Sequence, residues 1–309
     1  MNRAMSVPPL ATPLRKLGRR RRLGAPEAGF AGPGHTAVEV VTPDAFPDND
    51  PFILLMDDRL DFAPGQEVGG AHPHAGFETV TLVLEGALDD RDEGLLHAGD
   101  AVWMTAGRGI VHNEHVRATG PARILQLWVT LAEKDRAAPP RFEVIRAADL
   151  PTYRAAGVEA RLYSGRTNNL SSPTHNHVPV TLIDLRLDPG AVFQQELPGE
   201  YNGFLLPLSN SIRVEGDGVA LGLGEIGWLE RRGRNETTTL RIEAAEDGAR
   251  VLIYAGEPQN ETTLQHGPFV AGSLADLERM FRDYRAGRFA RISELARRGR
   301  PDTSHARSA

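Results

Sequence analysis

His72 and His74 flank a proline at the head of HPHAGFETVTLVLEG, residues 72–86. A second pair of donors, His112 and Glu114, stands in TAGRGIVHNEHV, residues 105–116. In a β-strand, residues i and i+2 project from the same face. If both segments are strands and lie side by side, three imidazoles and one carboxylate converge. That donor set suits one divalent first-row metal. Calcium or magnesium would want oxygen ligands throughout, and a structural zinc site would commonly recruit thiolates. The chain has no cysteine, so thiolate metal sites, disulfides and cysteine nucleophiles are excluded. Four protein ligands on an octahedral ion leave two positions, enough for a bidentate substrate or for a substrate plus dioxygen.

The elements that must position these donors are short strands. The 309 residues suggest two domains, and 32 glycines and 22 prolines favour many turns. Segments such as AVEVV (37–41), PFILLM (51–56), ETVTLVLEG (78–86), AVWMTA (101–106) and RILQLWVTL (123–131) are rich in β-branched and aromatic residues. AEKDRAAPPRFE (132–143) reads as a linker, and a second strand-rich stretch spans about 158–256.

The two stretches look like divergent copies. Pro64-Gly65, Gly76-Phe77 and Gly99-Asp100 with Trp103 recur as Pro189-Gly190, Gly203-Phe204 and Gly224-Glu225 with Trp228. The spacing is about 125 residues each time, the mark of a duplicated unit. An all-β architecture of two tandem jelly-roll barrels of the cupin kind fits, followed by a C-terminal helix. In the second copy, Gly199, Tyr201, Thr237 and Thr239 stand where the first has His72, His74, His112 and Glu114. The second barrel is therefore expected to be metal-free. The expected organisation is a flexible basic tail (1–34), a metal-binding barrel (35–135), a metal-free barrel (136–272), then a helix and disordered tail (273–309).

The helix starts at Ser273 with Asp276 three residues on, a capping-box-like pair. Leu274, Leu277, Phe281 and Tyr284 form its apolar stripe, expected to pack on a barrel, and Gly287 should end it. His175 and His177 form another H-x-H, but no H-x-E follows, so packing is expected there. Asp57 and Asp58 could line a cavity mouth or simply make a turn. The net charge of −6 argues against a nucleic-acid partner. No apolar run approaches the roughly 20 residues of a membrane span, and no signal peptide follows the basic cluster RKLGRRRR. A cytoplasmic protein is expected.

Three blocks in order, HPHAGFETVTLVLEG, HAGDAVWMTAGRGIVHNEH and AGEPQNETTLQHGPFVAGSLADLERMFRDYRAGRF, closely resemble the pirin family of bicupins. The resemblance covers roughly residues 50–290. It implies one metal, Fe(II) by preference, held by His72, His74, His112 and Glu114. Nickel, manganese, cobalt, copper or zinc are accepted by the same donors. It implies a quercetin 2,3-dioxygenase-type ring opening of a small planar phenolic or enol substrate by dioxygen, with Glu114 as the catalytic proton acceptor. The alternative it implies is a redox-sensing regulator that contacts a transcription factor or metabolic enzyme. Ala75 stands where many members have arginine, and His115 where a hydrophobic residue is common.

Overall fold

The computed structural model describes residues 12–298 apart from 64, 118, 217 and 219, and the side chains of Glu114, His115 and residues 296–298 also lie outside the described set. The first strand, β1 (Leu17–Arg22), belongs to the second barrel; those that matter for the first barrel are, in chain order, β2 (His35–Val41), β3 (Phe52–Leu60), β4 (Glu67–His74), β5 (Phe77–Glu85) and β6 (Ala87–Asp90). They continue with β7 (Gly94–His97), β8 (Ala101–Thr105), β9 (Ile110–Arg117), β10 (Ala122–Thr130) and β11 (Arg141–Ile145). The second barrel continues with β12 (Val180–Leu187), β13 (Val192–Pro198), β14 (Asn202–Val214), β15 (Glu225–Leu229) and β16 (Thr237–Gly256).

One compact unit comprises Leu23–Leu150, Pro173–Pro179 and residues 258–298. Its larger sheet runs β11-β8-β5-β10-β3-β2, all antiparallel. Its smaller sheet is built on β9, which pairs β4 along its whole length and β6 at its far end. Between the sheets lie Leu60, Phe62, Val83, Leu88, Leu96 and Val102. Burying each of these large side chains contributes about 2 kcal/mol. β5 is buried at every position up to Glu85, because the barrel interior covers one face and other chain segments the other. Residues 141–143, the end of the expected linker, instead begin the edge strand β11 (Arg141–Ile145) against β8.

The helix α1 (Leu274–Arg285) belongs to this unit. Ser273 Oγ accepts from the Asp276 amide at 3.2 Å, and Gly287, at φ +68°, follows its end. Leu277 and Met280 bury against Ala75, Phe269 and Phe289, directly behind the strand that carries His74. Leu274 and Tyr284 of the same stripe stay exposed, so only half of it is core.

The other unit comprises residues 12–22, Pro151–Ser172 and Val180–Glu257. Within the second strand-rich stretch, TTTLRIE and RVLIYAG belong to one continuous strand, the 20-residue β16. Its first half pairs β13 and its second half pairs β12, which turns the jelly-roll corner within one strand. Leu197, Leu205, Leu240, Ile242, Val251 and Ile253 fill the interior with apolar groups. The repeated Gly-acid-Trp blocks do the same job in both units. Asp100 Oδ2 accepts from the His97 amide at 3.1 Å, and Glu225 Oε2 from the Gly222 amide at 2.9 Å. Each acid hooks the turn three residues before it, and Trp103 and Trp228 are both buried.

The N-terminal segment differs from the flexible tail expected. Residues 1–11 lie outside the described residues, but β1, which carries the run LGRRRR, pairs antiparallel with β15. Arg19 stacks its guanidinium 4.0 Å over the Trp228 ring. Arg15 is fully buried and donates to the carbonyls of Gly199 at 2.6 Å and of Tyr201, and to Thr238 Oγ1 at 3.3 Å. Burial first, then Arg232 and Arg231, lower its pKa to about 10. Charge runs usually stay solvated, whereas Arg15 and Arg19 are satisfied by carbonyls and an indole about 200 residues away in sequence. Replacing Arg15 by alanine would leave buried carbonyls unpaired. Arg15→Ala is expected to destabilise this barrel by about 2–4 kcal/mol in denaturant unfolding. An unchanged midpoint would show that the plug is dispensable.

Candidate metal centre

Register brings the histidines together. In the β4–β9 pair, His72 lies directly opposite His112, and His74 lies opposite Ile110. Direct cross-strand partners share a face, and so do residues two apart on one strand. His72 and His74 therefore meet His112 from the same side, as the period-2 spacing predicted. The ring nitrogens converge tip to tip. His112 Nε2 is 2.8 Å from His72 Nε2 and 3.0 Å from His74 Nε2. The three rings can offer one ligand atom each, all within 4.8 Å of one another. His74 and His112 are buried and His72 is half-buried.

These distances test the fit of a metal. Two nitrogens bound at about 2.1 Å and at right angles stand about 3 Å apart, whereas tetrahedral ones stand about 3.4 Å apart. Each of the two observed spacings, His112 to His72 and His112 to His74, matches adjacent corners of an octahedron. The tautomers also fit. His72 Nδ1 is 3.0 Å from the Gly70 carbonyl, so that nitrogen carries the proton and donates it. Nε2 of His72 is then the acceptor nitrogen of the ring. Lone pairs this close repel each other unless a cation or proton lies between them.

His74 reports the same need. Burial first, then the neighbouring His112 and His72, hold its imidazolium well below the ordinary histidine range around 6.5. The ring is neutral when folded and protonated when unfolded below that pH. The stability from excluding the proton is fully present above about pH 6.5 and is lost as pH falls through the folded value. Chelated, metal-free protein is therefore expected to lose thermal stability steadily as pH drops below about 6.5, and His74→Gln to flatten that slope. An identical slope in both proteins would refute the assignment.

Glu114 is in β9, two residues beyond His112, and its backbone is opposite Gly70. Its side chain lies outside the described residues. A carboxylate that the sequence did not single out, Glu93, is almost fully buried with Oε1 4.0 Å from His112 Nδ1. Asp90 Oδ1 accepts from the Asp92 and Glu93 amides, and Asp92 Oδ2 accepts from the Asn113 amide at 2.8 Å. The tight β6–β7 turn thus hooks onto the ligand strand. The run DDRDEG held that signal, but a cluster of acids before glycine reads equally as a solvated turn.

His72 and His74 line a cavity of about 170 Å³ walled by Leu60, Phe62, Val68, Leu88, Ile124 and Trp128. Trp128 meets the His74 ring edge-on at 5.3 Å. Asp58 lines this cavity, and Asp57, facing the other way on β3, binds Arg123 through both oxygens at 2.8 and 2.7 Å. The two acids sit within a strand, not a turn. His175 is exposed, and His177 Nδ1 lies 3.8 Å from Asp135. Neither belongs to the triad.

A jelly-roll barrel with an imidazole triad, followed by a copy with an apolar interior, defines a bicupin with one candidate metal centre among the described residues. The pirin pattern matches residues 29–129, and that of the Pirin C-terminal cupin domain matches residues 182–290. Human pirin is 32% identical over 243 residues, covering 76% of this chain and 81% of its own. A Pseudomonas aeruginosa protein, whose name gives quercetin 2,3-dioxygenase as a provisional activity, is 36% identical over 77% of this chain and 86% of its own. A solved quercetin 2,3-dioxygenase of Acinetobacter baumannii superposes with a TM-score of 0.78 at 25% identity, over 90% of this chain and 99% of that one. The chain belongs to the pirin family. Among the described residues no helix is long and apolar enough to cross a membrane.

Proposed function

We propose that the first barrel holds one Fe(II) ion through His72, His74, His112 and Glu114 and opens the ring of a flavonol such as quercetin with dioxygen. The observation that carries this reading is the convergence of three Nε2 atoms, 2.8 and 3.0 Å apart, at the end of an apolar cavity. Bound iron supplies Lewis acidity for a planar enol or phenol and a place for dioxygen beside it. The protein's part is positional. The Gly70 carbonyl fixes the His72 tautomer, and Trp128 flanks His74. The leucine, phenylalanine and isoleucine wall keeps water from reactive species. Glu114, the carboxylate of the ligand set, takes the substrate's hydroxyl proton. The names of the Pseudomonas and Acinetobacter relatives support the substrate class.

The test is reconstitution with one equivalent of Fe(II) under nitrogen, then oxygen uptake and bleaching of quercetin on admitting air. The expected result is coupled uptake and bleaching. Stoichiometric iron with neither would overturn the proposal.

A further inference from the structure

The far end of the cavity is polar, and the metal does not account for it. His35 and Asp58 are 3% and 6% exposed and both line the cavity. His35 Nε2 lies 2.7 Å from Asp58 Oδ1. The Ala31 amide donates to His35 Nδ1 at 3.2 Å, so Nδ1 is the acceptor and Nε2–H donates to the carboxylate. The segment before β2 is shaped around this ring. Gly29 packs so closely that an added Cβ would lie 2.3 Å from His35 Nδ1, and Phe30 meets the ring edge-on at 5.1 Å. Among the described residues no other group bonds Asp58. A buried carboxylate with one donor retains acceptor capacity, and the cavity is where it is open.

The register gives the scale. Trp128, Gln126 and Ile124 follow one another along one face of β10, and all three line the cavity. Trp128 touches His74, whereas Ile124 lies directly opposite Asp58 on β3. Four residues of strand span about 13 Å. Midway, Thr81 Oγ1 donates to Gln126 Oε1 at 2.9 Å, and both residues line the cavity. The cavity therefore has imidazoles at one end, apolar walls, and a held carboxylate at the other.

We infer that Asp58, positioned by His35, is a second recognition point that accepts a hydrogen bond from a hydroxyl at the end of the substrate remote from the metal. The inference rests on the flavonol reading above and narrows it to rigid, elongated molecules on the order of 10 Å long with a distal hydroxyl. Such a site rejects the analogue lacking that hydroxyl, because the carboxylate would be dehydrated with nothing in exchange.

The experiment measures binding without turnover, by quenching of tryptophan fluorescence in zinc-loaded protein. The probes are quercetin and 3-hydroxyflavone, which lacks the distal hydroxyls. The native protein is expected to bind quercetin about tenfold more tightly than 3-hydroxyflavone. Asp58→Asn should bring the two within about twofold of each other by weakening quercetin alone. His35→Gln, which keeps an N–H toward Asp58, should retain the preference, and His35→Phe should lose it. These two variants test the pair even if Asp58→Asn fails to fold. Equal affinity of the native protein for both probes, or an unchanged preference in His35→Phe, overturns the inference. Oxygen uptake on quercetin without discriminated binding overturns the subsite and leaves the dioxygenase standing. Discriminated binding without oxygen uptake in the iron form does the reverse. No binding of either flavonol overturns both.

Discussion

His112→Ala is expected to abolish metal retention and quercetin bleaching while leaving the metal-free barrel folded. His112 is the hub of the triad, since its Nε2 approaches both other rings. A tightly held divalent ion gains about 10–16 kcal/mol from about four donors, so losing one weakens binding on the order of 10²–10³-fold. The fold should tolerate the change. Without an ion at most one of the two contacts, 2.8 and 3.0 Å, can be an N–H···N hydrogen bond, so the other stays unfavourable, and alanine removes both. Metal-free His112→Ala should therefore unfold no earlier than the metal-free native chain. With metal, the native chain should gain several degrees that the variant does not, because an ion bound only to the folded state shifts unfolding. Elemental analysis after dialysis and paired thermal melts check both halves. A variant that retained one equivalent of metal through dialysis would remove His112 from the ligand set.

Gly76→Ala is expected to be the most damaging single methyl in the first barrel. Gly76 adopts φ +88°, and its missing Cβ would sit 1.8 Å from the Val270 carbonyl oxygen. Backbone, not a flexible side chain, fills that space. Around it, Ala75 N donates to the Pro268 carbonyl, Val270 N to Ala75, and Gly76 N to Gly107. This knot turns the chain from His74 into β5 and clamps the strand Phe269–Ala271 behind the ligand strand. Separating them would strain a left-handed backbone and break buried hydrogen bonds together, at about 3–5 kcal/mol. For this chain length that is about a 10 °C fall in melting temperature, with metal retention falling too because His74 moves. Gly190→Ala is the control. It also has positive φ, +68°, but nothing lies within 4 Å of its Cβ position. It should lose about 1 kcal/mol from backbone strain alone. Equal losses for the two variants would show that strain, not the close approach, governs Gly76.

The local pattern of the sequence determined what a strand's period of two can convey. His72 and His74 share a face, and so the spacing placed them on one side of β4 before any fold was known. The repeated Gly-acid-Trp blocks were legible for the same reason, because Asp100 and Glu225 each bond an amide only three residues away. The capping Ser273 and the terminating Gly287 belong to this group too.

Only the tertiary structure decided the rest, because those contacts join residues far apart in the chain. That His72 faces His112 depends on β4 and β9 pairing in one register out of several, and a slip of one residue would turn one set of rings away. His35 reaches Asp58 because β2 pairs β3 with Leu60 opposite His35, which makes the two polar side chains diagonal neighbours. Glu93 approaches His112 because a turn of acids hooks onto β9. Arg15, one of a run that looked like solvated charge, is buried because carbonyls about 185 residues onward meet its guanidinium. Composition and periodicity describe how each strand presents its side chains. Which strands become neighbours is set by how the whole apolar surface is buried at once, and that is where the wall of the cavity was chosen.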